Sequence, residues 1–188
     1  MRKVILLMHV SLDSFVAGPN GEIDWIYLDD EMFEDVHDLV NTADTALYGR
    51  VTYQLMESYR PTAADSPTAT KHDHDHARWV NPAPKIVFSR TLKKAEWQNT
   101  RIVKDHIAEE IAKLKRQPGK NLILFASPSL ALTFMNLGLI DEYWSNVNPV
   151  VLGKGKPLFK DISNIHQLKL LESKTYKTGV VKLHYGRA

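Results

Sequence analysis

The sequence predicts an α/β fold whose central sheet is mixed, mostly parallel and finished by a C-terminal antiparallel hairpin. Three observations carry this. Short apolar runs at Lys3–Val10, Thr45–Tyr48, Lys85–Phe88 and Asn121–Phe125 alternate with segments of helical periodicity, the order expected when helices cross between parallel strands. The runs are near-continuous in apolar character, as strands covered on both faces are. Late in the chain, His166–Thr175 and Gly179–Tyr185 alternate around Thr178-Gly179, a turn signal between paired strands.

A chain of 188 residues with 44% apolar and 24% charged residues is expected to form one domain over 1–188. Its net charge of +2 implies no basic face, so nucleic acid is not an expected partner. The lack of cysteine excludes disulfides and thiolate metal sites and fits a reducing, cytoplasmic setting. The opening MRKVILLMHVSLDSF breaks at His9 and Asp13 without a small-residue cleavage site, so it reads as a first strand and not a signal peptide. No apolar run approaches the ~20 residues that span a bilayer, which predicts a soluble protein with no membrane partner.

The first strand ends near His9, which reads as a buried core histidine. Ser11–Trp25 (SLDSFVAGPNGEIDW) is a loop, with Gly18-Pro19-Asn20-Gly21 as its punctuation and Phe15-Val16 and Ile23–Trp25 as apolar anchors. Met32, Phe33, Val36, Leu39 and Val40 recur at helical spacing within Asp29–Thr42. The second strand ends at Gly49 and opens a helix at Arg50 that runs out near Pro61. Pro61–Lys71 is a surface excursion. Three histidines in Lys71–His76 raise a metal reading, because His72 and His76 share a helical face. No partner motif completes such a site, so the segment reads as solvated polar chain leading into a helix that docks Trp79. No metal is expected. Arg101–Val103 is a short strand, and Asp105 is a plausible N-cap for a helix over Ile107–Arg116 that stops at Pro118-Gly119. After Asn121–Phe125, Pro128 opens a helix that reaches Leu137. Leu139–Val151 reads as a strand, followed by the glycine turn Gly153–Pro157.

Three strand-to-loop junctions should then share the carboxyl edge of one sheet: Gly49-Arg50-Val51-Thr52, Ser89-Arg90-Thr91 and Ala126-Ser127-Pro128-Ser129. A helix start offers unpaired N–H groups at the positive end of its dipole, and Arg50, Arg90 and the hydroxyls add donors, all suited to phosphate. A dinucleotide with an extra ribose phosphate would use all three junctions. The G-x-G-x-x-G, Walker A and G-x-S-x-G motifs are absent.

Six stretches in order, SLDSFVAGPNGEIDW, LYGRVTY, KIVFSRTL, LGLIDEY, PVVLGKGKPLF and TGVVKLHY, resemble the dihydrofolate reductase-like superfamily. The resemblance runs over nearly the whole chain and is nearest to stand-alone homologues of the reductase domain of bacterial riboflavin-biosynthesis deaminase-reductases. It implies a three-layer α/β/α fold and an NADPH-dependent reductase acting on a C=N or C=O group of a small pteridine- or pyrimidine-like heterocycle, in a homodimer. On that pattern Val16, Ala17 and Gly18 close over the nicotinamide. Gly49, Arg50 and Thr52 hold the pyrophosphate and a nearby phosphate, Ser89 and Arg90 take the adenosine 2′-phosphate, and Ser127, Ser129 and Leu130 hold the pyrophosphate from the other side.

Two departures stand out. The family's glycine-rich pair is Ala126-Ser127 here, whose Cβ atoms would narrow the approach to a diphosphate, and its SLDG is SLDS at Ser14. The folate-reductase acid on the first helix falls on Asp30 when counted from Trp25 and on Phe33 when counted back from Gly49. Asp30 is the candidate acid, the alternative being a carboxylate that only suits the helix dipole. Trp25 and Phe33 could stack on a planar substrate or belong to the core. Lys154 and Lys156 are candidates for a ribose phosphate. The competing function is a nucleotide-binding homologue that keeps the fold without turnover.

Overall fold

The apolar runs become the middle of an eight-stranded sheet in a computed structural model that describes residues 1–188. In chain order the elements are β1 (Val4–Ser11), β2 (Phe15–Ala17), α1 (Asp30–Asn41), β3 (Ala43–Gly49), α2 (Arg50–Tyr59), α3 (Lys71–Val80), β4 (Lys85–Phe88) and β5 (Thr100–Val103). They continue with α4 (Ile107–Arg116), β6 (Asn121–Phe125), α5 (Pro128–Asn136), β7 (Glu142–Asn148), β8 (Lys156–Pro157), β9 (Leu168–Thr175) and β10 (Val181–Arg187). The sheet order is β5-β4-β3-β6-β1-β7-β10-β9. The first six strands are parallel, and β10 runs antiparallel to both β7 and β9.

Alternation along β1 builds the two outer layers. Leu6, Met8 and Val10 pack with Ile111, Leu114 and Phe134, beneath α4 and α5. Ile5 and Leu7 point the other way, to Leu39, Val40, Tyr53 and Val80 of α1, α2 and α3. Each of these side chains is nearly or fully buried, a gain of roughly 1.5–3 kcal/mol apiece. The result is the expected α/β/α sandwich.

Local chemistry corrects the sequence reading in five places. The Ser11–Trp25 loop contains β2, which pairs antiparallel with β8. The excursion after Pro61 begins with a 3-10 turn over Arg60–Asp65. Lys71–His76 is not solvated chain but the start of α3, fixed by a capping box between Thr70 and Asp73. His76 is buried against Phe125 and Trp79, while Asp73 is held by Thr70, Tyr59 and Arg60 and Asp75 pairs with Lys71 and Arg78. The strand read over Leu139–Val151 is confined to Glu142–Asn148, where the ladder to β1 ends and Pro149 follows. Asp105 does not cap α4. His106 occupies that position in a left-handed conformation with no side-chain cap, and Asp105 instead accepts a hydrogen bond from Arg90 Nε at 3.1 Å.

Candidate functional site: a cleft at the carboxyl edge

Parallel strands β4, β3 and β6 lie side by side, in register through Gly49–Phe88 and Leu47–Leu124, so their carboxyl ends share one edge. The chain adds β3, β4 and β5 outward, then returns to insert β6 between β3 and β1. Helix α2 leaves β3 toward one face and α5 leaves β6 toward the other. A crevice opens at such a reversal. Here it is a cleft of about 640 Å³. It gathers Gly49, Arg50 and Thr52, Ser89 and Arg90, and Ser127, Ser129 and Leu130, so the three predicted junctions meet at one place. A fourth junction, Lys104-Asp105-His106 between β5 and α4, joins them. It escaped the sequence reading although its signal, a short strand ending just before a helix, was visible at Val103.

The helices that start on this cleft share a property. The cap residues of α2, α4 and α5 are Gly49, His106 and Ser127, and none makes a side-chain capping bond. Away from the cleft, α1 and α3 are capped by Asp29 and Thr70. Three sets of first-turn N–H groups are therefore left for another acceptor, each at the positive end of a helix dipole. Cations flank them. Arg50 is exposed and bonded to Gln54 at 3.1 Å, while Arg90 is 82% exposed and paired with Asp105. Thr52 is buried in the first turn of α2.

The junction after β6 keeps a glycine-type backbone without glycine. Ala126 has φ +44° and Ser127 has φ +56°, left-handed values that cost an ordinary residue about 1–2 kcal/mol each. Ser127 also fills space toward β3. Its Oγ accepts the Gly49 N–H at 2.9 Å, and a Cβ on Gly49 would lie 3.3 Å from the Ser127 Cβ. Gly49 itself has an ordinary φ of −81°, so its glycine is required by close approach and not by backbone angle. Ser14 repeats the pattern at φ +66°, in the place of the family's SLDG glycine.

The remaining predicted residues lie elsewhere. Val16 and Ala17 are buried in β2, which β8 ties down, and Gly155 has no room for a side chain against the Ala17 carbonyl. Asp13 clamps the base of this loop by accepting the N–H groups of Leu152 (3.1 Å) and Gly153 (2.7 Å) and the hydroxyl of Ser11, bonds that hold its carboxyl below the ordinary value. Trp25 is half-buried, with its indole N–H on the Glu22 carbonyl at 3.0 Å. Phe33 stacks on His72 at 3.9 Å between ring centres, and Asp30 is an exposed residue at the start of α1. Lys154 and Lys156 are exposed on the turn that includes β8. None of these lines the cleft. A second groove, at the amino edge, is lined by Arg2, Lys115 and Arg116, but Arg2 and Lys115 are already paired with Asp44 and Asp141.

An open α/β sheet with a ligand crevice at its strand-order reversal defines the general class. Within it, the chain belongs to the RibD C-terminal domain family, whose profile matches residues 2–182. Its relatives include two uncharacterized proteins of Bacillus subtilis (strain 168). YyaP is 41% identical over 98% of this chain and 94% of its own length, and YwjB is 30% identical over 100% and 99%. Among solved structures, a Shewanella sp. PV-4 protein named for riboflavin biosynthesis superposes with a TM-score of 0.77 at 21% identity, covering 99% of both chains. The Thermotoga maritima diaminohydroxyphosphoribosylaminopyrimidine deaminase/5-amino-6-(5-phosphoribosylamino)uracil reductase superposes at 0.68 and 16% identity. All of this chain matches 57% of that protein. A pyrimidine reductase-like protein of Corynebacterium diphtheriae gives 0.67 at 12% identity, covering all of this chain and 92% of that one. The fold is thus that of RibD reductase-type domains.

Proposed function

We propose that the cleft binds NADPH and that the chain is a reductase of a small pteridine- or pyrimidine-like heterocycle. The observation that carries this reading is the convergence of three uncapped helix starts on one cleft flanked by Arg50 and Arg90. The residues present fit a dinucleotide. Gly49, Arg50 and Thr52 would hold the diphosphate from α2, and Ser127, Ser129 and Leu130 from α5. Ser89 and Arg90 would take the 2′-phosphate, with Arg90 exchanging Asp105 for it. Val16 and Ala17 would shield the reacting ring from water. When bound, NADPH supplies the hydride for reduction of a C=N or C=O group. Asp30 is the candidate acid and Trp25 and Phe33 the candidate stacking residues. Membership of a reductase-domain family supports the class of activity. A cytoplasmic protein with one catalytic domain per chain completes the reading.

A second reading, a nucleotide-binding homologue without turnover, draws on one observation. The Ser127 hydroxyl already occupies the Gly49 N–H, and two side chains stand where the family has glycines.

Titration of the purified protein with NADPH and NADH, followed by quenching of its four tryptophans, tests both. Saturable binding that favours NADPH at least tenfold is expected. The S89A/R90A double variant should lose that preference and leave NADH binding unchanged, since one charged contact is worth ~1.5–3 kcal/mol. Equal loss of both cofactors would refute the 2′-phosphate assignment. Binding without oxidation of NADPH by any pterin or pyrimidinone would favour the second reading.

A further inference from the structure

One carboxylate stands in an otherwise cationic cleft. Among the residues that line it, Arg50, Arg90 and Lys104 are cations and Asp105 is the single acid. Its place follows from the strand register. Phe88 and Val103 are partners at the ends of the parallel strands β4 and β5, and the Ser89 N–H bonds to the Val103 carbonyl at 2.9 Å. Ser89-Arg90 and Lys104-Asp105 therefore leave neighbouring strand ends, about 5 Å apart. The two segments meet in the bond from Arg90 Nε to Asp105 Oδ1 at 3.1 Å.

Helix α4 makes no use of this carboxylate. His106 takes the cap position with φ +56°, and Asp105 accepts from Arg90 and from no N–H of the helix. Ser89 presents a complementary group. Its Oγ accepts the N–H groups of Thr91 (3.2 Å) and Leu92 (2.9 Å), which leaves the hydroxyl proton to donate. The 3.5 Å contact with Thr91 Oγ1 is too long to claim that proton. Both partners of the Arg90–Asp105 pair are exposed, with side chains 82% and 57% accessible, so the pair contributes little to folding and exchanges readily.

We propose that Asp105 is a specificity-determining residue of the cleft: it accepts the ribose 2′-hydroxyl of NADH, and it competes with the 2′-phosphate of NADPH for Arg90. This rests on the reading of the cleft as a dinucleotide site and deepens it. The two cofactors differ at one position, a phosphate on the adenosine ribose of NADPH and a hydroxyl on that of NADH. A phosphate takes donors from Ser89 and Arg90 and is repelled by a carboxylate beside them. A hydroxyl has a proton to give, and an ionised carboxylate is an acceptor only. One exposed ion pair thus holds a reader for each cofactor, and Asp105 sets a ceiling on the preference for NADPH.

Calorimetric titration of NADPH and of NADH into the wild type, Asp105→Ala and Asp105→Asn, at fixed ionic strength, is the experiment. Asp105→Ala should bind NADPH at least threefold more tightly and NADH at least threefold more weakly. Opposite signs in one variant mark a reading role, because damage to the cleft would weaken both cofactors. Asp105→Asn keeps the shape and an acceptor oxygen, so it should tighten NADPH alone, and that gain should shrink as salt is raised. Asp105 is exposed and caps no helix, so both variants should keep the wild-type melting temperature. The inference falls if the two affinities of Asp105→Ala move in the same direction, or if NADPH binding is unchanged or weaker in both variants. Tight NADPH binding by the wild type with no response to Asp105 overturns this inference alone. No saturable binding of either cofactor by the wild type overturns the dinucleotide reading and this inference with it.

Discussion

Ala126 and Ser127 show at single-residue scale how a replaced glycine leaves its mark. The backbone keeps the left-handed turn, so strain is stored where a diphosphate would approach. Ala126→Gly should raise unfolding free energy by roughly 0.5–1 kcal/mol, the relief of the left-handed strain less the entropy of a freer unfolded chain. A chemical denaturation midpoint measures this. Ser127→Gly should in addition free the Gly49 N–H and tighten NADPH several-fold; weaker NADPH binding would mean that the hydroxyl contributes to the site. The substitution of these glycines was legible in the sequence, because the flanking strand and Pro128 fix their place. The hydroxyl bond across to β3 was not, because it joins residues 78 apart in sequence.

At the scale of elements, α3 is the instructive case. Polar composition dominates its first turns and reads as solvated, yet His76 packs against Phe125 and Trp79 and is buried. Burial holds His76 well below the ordinary 6.5 and His9 at about 4. The unfolded chain binds protons below pH 6.5 that the folded chain refuses. Their contribution is complete above pH 6.5 and is lost as pH falls toward 4, on the order of 3 kcal/mol for His9. Melting temperature should therefore fall steadily between pH 6.5 and 4.5, and His76→Phe should flatten part of that slope. Glu142, held near 2 by His184 and Lys3, loses its contribution only at lower pH and leaves this window clear. The capped helix α1 and the uncapped α2 and α5 begin at residues the sequence marks well. For α4 the bounds Ile107–Arg116 are as read, and only the cap differs: His106 takes the cap position while the Asp105 carboxylate, an ordinary capping group, accepts from Arg90 instead.

For the whole molecule, parallel order and the closing hairpin were legible because each strand's apolar pattern reports how many of its faces are covered. Which strand neighbours which was not, since insertion of β6 beside β1 depends on contacts far apart in the chain. The outermost strand, β9, ends the sheet with Leu168, Leu170 and Leu171 exposed. An open edge with exposed leucines is a pairing liability unless a second copy covers it, which supports the homodimer read from the sequence. Light scattering at micromolar concentration should give twice the chain mass, and Leu170→Lys with Leu171→Lys should halve it without loss of the folded circular dichroism spectrum. The central place of β1 has its own consequence. Val4 pairs with Leu122, and no strand synthesised before β6 lies next to β1 in the main sheet. At ~5–20 residues per second, the ribosome holds this apolar strand without its sheet partner for on the order of ten seconds. During synthesis, VILLMHV is thus a ready substrate for chaperones that bind extended apolar segments, and yield in the cell will depend on how long that exposure lasts.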